Sequence, residues 1–298
     1  MANTISNVYI ETYERTVRHL AQQGVARLRP WVMEKSVQSE AHNWERLGQG
    51  TAALKSLRGT SGRAAPTPVD DYPWSRRISS PDTWDTGDLT EQEDIVQMLV
   101  DPNSNLAQSQ GMAMRRAIDD SIITAATGAS VDQDGAVAFP AGQAIGAADA
   151  AVAMSYDLVT EVTEKFMAND IDPEEEKVFV VGPAQARKLL QLTEATSGDY
   201  NAVRPLTSKG YIESWMGYSW VVSTRLPDSS ASGTDGDENY CFAMTRKAIG
   251  LQMNKDIWVR IAEDPSVSFA WRVYAAATFG AIRVEDEHLV RINASNVI

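Results

Sequence analysis

Hydrophobic and polar positions divide this chain into two unequal parts. Near the start, Val8, Tyr9, Tyr13, Val17, Leu20 and Val25 recur at helical spacing with polar residues between them. This predicts a short amphipathic helix ended by Pro30. Residues 36–94 then carry no cluster of apolar positions. The stretch is too long for an ordinary connection and too polar to build its own core. We read residues 36–81 as a two-stranded excursion with a Gly/Ser/Pro tip near Gly59 to Pro68. Trp44, Trp74 and Trp84 are scattered through this region. Tryptophans in an extended arm imply that it is ordered against something else, and a neighbouring copy of the same chain is the expected partner.

The remainder reads as an ordinary α+β body. Pro102 and Asn103-Ser104 open a helix from about Leu106 to Ala126, with Leu106, Met114, Ile118 and Ile122 on one stripe and Gly128 ending it. That stripe is expected to pack on strands around Val273 to Ile282. Gly128 to Gly146 reads as loop. Tyr156 to Met167 is a second amphipathic helix. KVFVVGP, Lys177 to Pro183, is a buried strand running into a helix over Ala184 to Leu192. Met216 to Thr224 and NYCFAMT are strands. IWVRIAED, VSFAWRVYAAATFGAIRV and HLVRINA are expected to close the chain as antiparallel strands.

Composition adds limits. A chain of 298 residues can bury a sizeable core, and its length suggests about two domains. No apolar stretch is long enough for a transmembrane span, so no membrane partner is expected. The first residues lack the apolar core of a signal peptide. Cys241 is the single cysteine, which excludes an intramolecular disulfide and a cysteine-based zinc cluster. Both features fit assembly in a reducing cytoplasm.

The net charge of −13 argues against tight, sequence-independent binding of nucleic acid by the whole chain. Its distribution is uneven. Arg46, Lys55, Arg58, Arg63, Arg76 and Arg77 make the excursion basic, although Glu40, Glu45, Asp70 and Asp71 lie among them. Asp82, Asp85, Asp88, Glu91, Glu93, Asp94 and Asp101 follow with no lysine or arginine over residues 82–101. Each run suits a solvated surface. Adjacent runs of opposite sign also suit complementary contacts between copies. The candidate inter-subunit residues are therefore Trp44, Arg58, Arg63, Trp74, Arg76, Arg77, Trp84, Asp88, Glu91, Glu93 and Asp94.

Tests for chemistry give no catalytic assignment. GQGTAALKS has Leu54 where a phosphate loop needs a glycine before the lysine. Asp132-Gln133-Asp134-Gly135 begins like a calcium loop, but Gln143 stands at the twelfth position where a bidentate glutamate is required. Turn chemistry accounts for it and for Asp235-Gly236-Asp237-Glu238. His19, His42 and His288 lie in different elements and form no metal-binding motif. No cofactor is expected.

The order of parts resembles the major capsid protein of tailed double-stranded DNA bacteriophages, the Hong Kong 97 type of fold. The pattern from Gln110 to Gly128, QGMAMRRAIDDSIITAATG, resembles that family's spine helix, and WRVYAAATFGAIRVEDEHLVRI resembles its closing peripheral strands. The resemblance implies an N-arm at residues 1–35 and an extended β-hairpin loop at 36–95. It implies a peripheral domain with the spine helix at 96–150 and 250–298, and an axial domain at 151–249. It also implies pentamers and hexamers in an icosahedral shell enclosing the phage genome, without sequence-specific DNA contacts. No helical prodomain precedes the arm, so a separate scaffolding protein is expected, with a portal and a decoration protein as further family partners. Lys55 lies in the loop where some members crosslink, but no pattern marks a crosslinking site. An encapsulin-like nanocompartment shell is the alternative of the same fold, and a soluble hydrolase the alternative of another class.

Overall fold

The computed structural model describes residues 21–52, 54, 69, 71–91, 102–147, 150–192, 212–230 and 236–297. The expected N-terminal helix up to Leu20, the loop tip and Arg58, Arg63, Glu93 and Asp94 lie outside the described residues. Residues 21–28, expected as the last turns of that helix before Pro30, are described and are not helical, and Val25 is exposed. In chain order the strands are β1 (Met33–Ser36), β2 (His42–Leu47), β3 (Trp74–Ser79) and β4 (Asp82–Thr90), followed by helix α1 (Pro102–Thr127). Short strands β5 (Ser130–Asp132), β6 (Gly135–Val137) and β7 (Ala144–Ile145) precede helix α2 (Tyr156–Ala168). Strand β8 (Lys177–Val181), helix α3 (Pro183–Leu190), β9 (Ser214–Trp215), β10 (Tyr218–Val222) and β11 (Glu238–Thr245) come next. The chain closes with β12 (Ile249–Asp264), β13 (Ala270–Arg283) and β14 (Leu289–Ser295).

Two compact units are formed. One comprises Met1–Ala26, Thr83–Ile118 and Lys255–Thr278; the other comprises Arg27–Asp82, Asp119–Asn254 and Phe279–Ile298. In the first, the outer part of β13 lies between β12 and β4. Met112, Met114 and Ile118 on the first part of α1 are buried, and Ile118 has no exposed surface. Gln110 donates its amide to the Val273 carbonyl at 3.1 Å, which puts this part of the helix against the strand where the apolar stripe predicted it. The described end of the N-terminal arm also meets the helix here: Arg115 Nη1 donates to the Gly24 carbonyl at 2.7 Å and Arg116 Nη1 to Gln22 Oε1 at 2.7 Å.

The second unit is built on a six-stranded sheet in the order β7-β14-β11-β8-β10-β9. Every residue of β8 is buried, as a continuous apolar strand covered on both faces requires. Its one charged residue, Lys177, keeps its ammonium on the carbonyls of Asp172, Pro173 and Glu175. Ser155 caps α2 by accepting from the Leu158 amide at 3.2 Å, and Leu158, Val159, Val162 and Phe166 form its buried stripe. Phe179 and Trp220 stack across the parallel β8–β10 pair at 4.4 Å between centroids. The closing strand HLVRINA was expected with the peripheral strands. The structure instead ladders β14 against β11, from Glu238 opposite Ser295 to Met244 opposite Leu289. Gly128 to Gly146, expected as loop, contains the β5–β6 hairpin, whose turn carries Gly135 at a φ of 126°.

Candidate assembly surface

The excursion is the antiparallel β2–β3 hairpin, running from His42 opposite Ser79 to Leu47 opposite Trp74. Side chains alternate across a strand, so this register sorts the hairpin into two faces. His42, Trp44, Arg46, Ser75, Arg77 and Ser79 share one face; Asn43, Glu45, Leu47, Trp74, Arg76 and Ile78 share the other. The first face is turned to the body of its own unit. Trp44 is 5% exposed and clusters with Met33, Ile282 and Val284. Its indole donates to Ser79 Oγ at 3.1 Å. The ring fits because residue 250 is glycine: a Cβ there would stand 2.6 Å from it.

The opposite face is open. Trp74 is 72% exposed and Leu47, directly across the ladder, 56%. Beyond them the chain continues as a close pair, with Gly48 donating its backbone N–H to the Pro73 carbonyl at 2.8 Å and Tyr72 exposed. Arg76 and Glu45 on this face form only a solvated pair at 3.7 Å. Exposed apolar residues grouped on one strand face are the kind of surface found in protein–protein contacts.

The anchoring of the body-facing side is electrostatic as well as apolar. Asp286 divides its carboxylate, accepting from Arg77 Nη2 at 2.8 Å through one oxygen and from Arg283 Nε at 2.6 Å through the other. Arg77 Nη1 lies 3.6 Å from Asp132, while its buried Nε has no hydrogen-bond partner. Arg283 is fully buried and also donates to the Gly128 carbonyl at 2.5 Å. Arg291 donates to the Thr127 carbonyl at 2.7 Å and lies over the rings of Phe139 and Tyr240. The last turn of α1 contains no basic residue, so these two arginines supply the positive charge that a helix C-terminus favours. Burial pulls the Arg291 guanidinium below its usual range, and neighbouring Arg283 adds to that, against Tyr240.

The sequence-derived contact residues therefore separate. Trp44 and Arg77 are buried within their own subunit. Trp74 and Arg76 stand on the open hairpin face. Trp84 and Asp88 are exposed on β4, and Glu91 is exposed just beyond it. Leu47, Tyr72 and Asp286 had not been singled out. The signal for Leu47 was an isolated apolar residue in a polar run; for Asp286 it was an arginine, Arg283, inside an apolar strand.

Among the described residues no group of histidine, cysteine and acidic side chains could hold a metal ion. The Cys241 thiol is fully buried and pushed up to about 12 by that burial, against a hydrogen bond from the Gly182 backbone. This is the reverse of an activated nucleophile. A cleft of about 380 Å³ is lined by Trp258, Arg260, Ala262, Glu263, Asp264, Pro265, Arg272 and Tyr274. Asp264 there is held below the carboxylate range by hydrogen bonds from Ser266 and by Arg272, which pairs with it at 2.8 Å. A cleft of about 510 Å³ beside α1 contains the Arg225–Asp120 ion pair. Neither lining places a nucleophile against a base. No described helix is long and apolar enough to cross a membrane.

Comparison with known proteins supplies the context for this surface. The family model of phage capsid proteins matches residues 5–296. The fold is similar to the capsid structure of cyanophage P-SCSP1u, with a TM-score of 0.75 at 16% identity over 97% of this chain and 94% of that one. It is similar to the mature capsid of bacteriophage PhiM1, with a TM-score of 0.72 at 17% identity over 98% and 93%. A solved structure from Mycobacterium phage Che8 gives a TM-score of 0.68 at 16% identity over 96% of this chain and 97% of that one. A comparison with curated proteins finds no match.

Proposed function

This chain belongs to the phage capsid protein family, and we propose that it is the major capsid protein, a non-enzymatic subunit that self-assembles into the icosahedral shell of a tailed phage. The observation that carries this reading furthest is the division of the β2–β3 hairpin. One face is pinned to its own subunit through Trp44 and Arg77, and the other presents Leu47 and Trp74 to solvent. A segment held on one side and apolar on the other is suited to reach a neighbouring copy. The family match favours the phage shell over an encapsulin-like compartment or a hydrolase.

In this reading, pentamers and hexamers tile the shell. Residues 1–35 act as the N-arm, 36–95 as the extended loop, 96–150 with the β12–β13 part of 250–298 as the peripheral domain, and 151–249, joined by β14, as the axial domain. Trp74 and Arg76 belong to the contact between copies, with the exposed Trp84, Asp88 and Glu91 and with Arg58, Arg63, Glu93 and Asp94. Assembly takes place in the host cytoplasm with a separate scaffolding protein and a portal, and a decoration protein is a further partner. The negatively charged chain encloses DNA without gripping it in sequence-specific contacts. Electron micrographs of the protein expressed with its scaffolding protein test this: closed, uniform shells are expected, and a preparation of small oligomers alone contradicts it.

A further inference from the structure

We propose that Asp286 is the positioning residue of the β2–β3 hairpin, the carboxylate that fixes the direction in which the Leu47–Trp74 face leaves the subunit. This role rests on the reading that the open face meets a neighbouring copy.

The geometry points to a cradle made by the short connection between β13 and β14. Two arginines on the body-facing side of the hairpin reach successive acids of that connection. Arg77 reaches Asp286 at 2.8 Å and Arg46 reaches Glu287 at 3.9 Å. Trp44 sits against Ile282 and Val284, just before the connection. The cradle is itself held firmly. Val284 N donates to the Ala248 carbonyl at 2.8 Å, Thr245 N to the His288 carbonyl at 3.0 Å, and Leu289 N to the Asp286 carbonyl at 3.3 Å. The Thr245 hydroxyl meets His288 Nδ1 at 2.7 Å.

Within this cradle the contacts are not equivalent. An apolar ring in an apolar pocket resists withdrawal but sets direction weakly, because burial is non-directional. The Arg46–Glu287 pair is long and partly solvated, so it contributes little. The Arg77–Asp286 contact is a charge-assisted hydrogen bond between side chains only 6% and 16% exposed. The second oxygen of Asp286 is held by Arg283, whose guanidinium also grips the end of α1. The carboxylate therefore cannot follow Arg77 if the hairpin swings. Neutralising it leaves Arg77 with Asp132 alone at 3.6 Å and leaves the buried Arg283 without its carboxylate.

The test is hydrogen exchange on the full chain carrying Asp286→Asn, compared with the parent. Amides of residues 42–47 and 74–79 are expected to exchange at least about tenfold faster, the factor for losing one charge-assisted hydrogen bond. Amides of 178–181 and 241–244 should be unchanged. Arg77→Lys, which keeps the charge but loses the fork, provides a second variant and should loosen the same two segments. Unchanged hairpin exchange in both variants overturns the assignment. Equal acceleration in the core strands, or failure of both variants to fold, also overturns it, because Asp286 would then hold the whole fold rather than the hairpin.

Electron micrographs of the same variants complete the test: shells of mixed curvature or incomplete closure are expected. Uniform shells from a variant with a loosened hairpin overturn the positioning role in assembly. A parent chain that forms no shell at all overturns the assembly reading while leaving the exchange result to stand for the anchor.

Discussion

Trp44 and Arg77 stand directly opposite one another across the β2–β3 ladder, and both are buried against their own subunit. One step of the alternation away, the neighbouring positions point to solvent. The hairpin therefore contains one buried tryptophan, Trp44, and one exposed tryptophan, Trp74. Trp44→Ala should destabilise the subunit by about 3–5 kcal/mol, the usual cost of emptying a buried aromatic site. Trp74→Ala should change subunit stability by less than about 0.5 kcal/mol, as exposed substitutions do. Denaturant unfolding of the two variants checks this, and equal losses would show that the two faces are not distinct.

Burial of Ile118 gives a second expectation. Its side chain has no exposed surface on the long helix. Ile118→Asp puts a carboxylate in that site with no designed partner, at a cost of several kcal/mol. Soluble expression with an unchanged melting temperature would contradict the packing of this helix.

Much of this architecture was legible from the chain. The 3.6-residue stripe of Met114, Ile118 and Ile122 located α1, and the apolar run of Val178 to Val181 located β8. The division of the hairpin was harder to read. The alternation of Trp44 and Arg46 with Glu45 and Leu47 is visible in sequence, but which set is covered depends on Gly250, Ile282 and Asp286, some two hundred residues away. The position of β14 was hidden for the same reason. A period of two identifies a strand, and the strand it pairs with is set by packing across the whole unit. Arg77 looked like a member of a basic surface run, because nothing local announces a carboxylate waiting in the β13–β14 connection.

His42 should make the hairpin base sensitive to acid. Its Nε2 is buried with no hydrogen-bond partner, and burial and then nearby Lys35 hold its pKa below the ordinary 6.5. The unfolded chain therefore binds a proton more readily than the folded one. Stability from neutral His42 is full above about pH 6.5 and is lost as pH falls through the lower folded value. Between about pH 7.5 and 5 the unfolding midpoint of the parent should fall more than that of His42→Gln. Parallel pH profiles would show that His42 titrates alike in both states.

Cys241 should be silent in the native subunit. It is fully buried and its thiol is pushed up to about 12, so almost no thiolate is present near neutral pH. A thiol-specific chromogenic reagent should react only after denaturation, with one equivalent per chain. Rapid reaction of the native protein would mean that β11 opens readily.

The central claim is that the open face of the hairpin joins copies rather than stabilising its own subunit. The most direct measurement is the sedimentation and microscopy of a Leu47→Ser, Trp74→Ser double variant beside the parent. The variant should match the parent's unfolding midpoint and remain a dispersed subunit or capsomer where the parent closes into shells. Shells of normal size and yield from the double variant would contradict the claim.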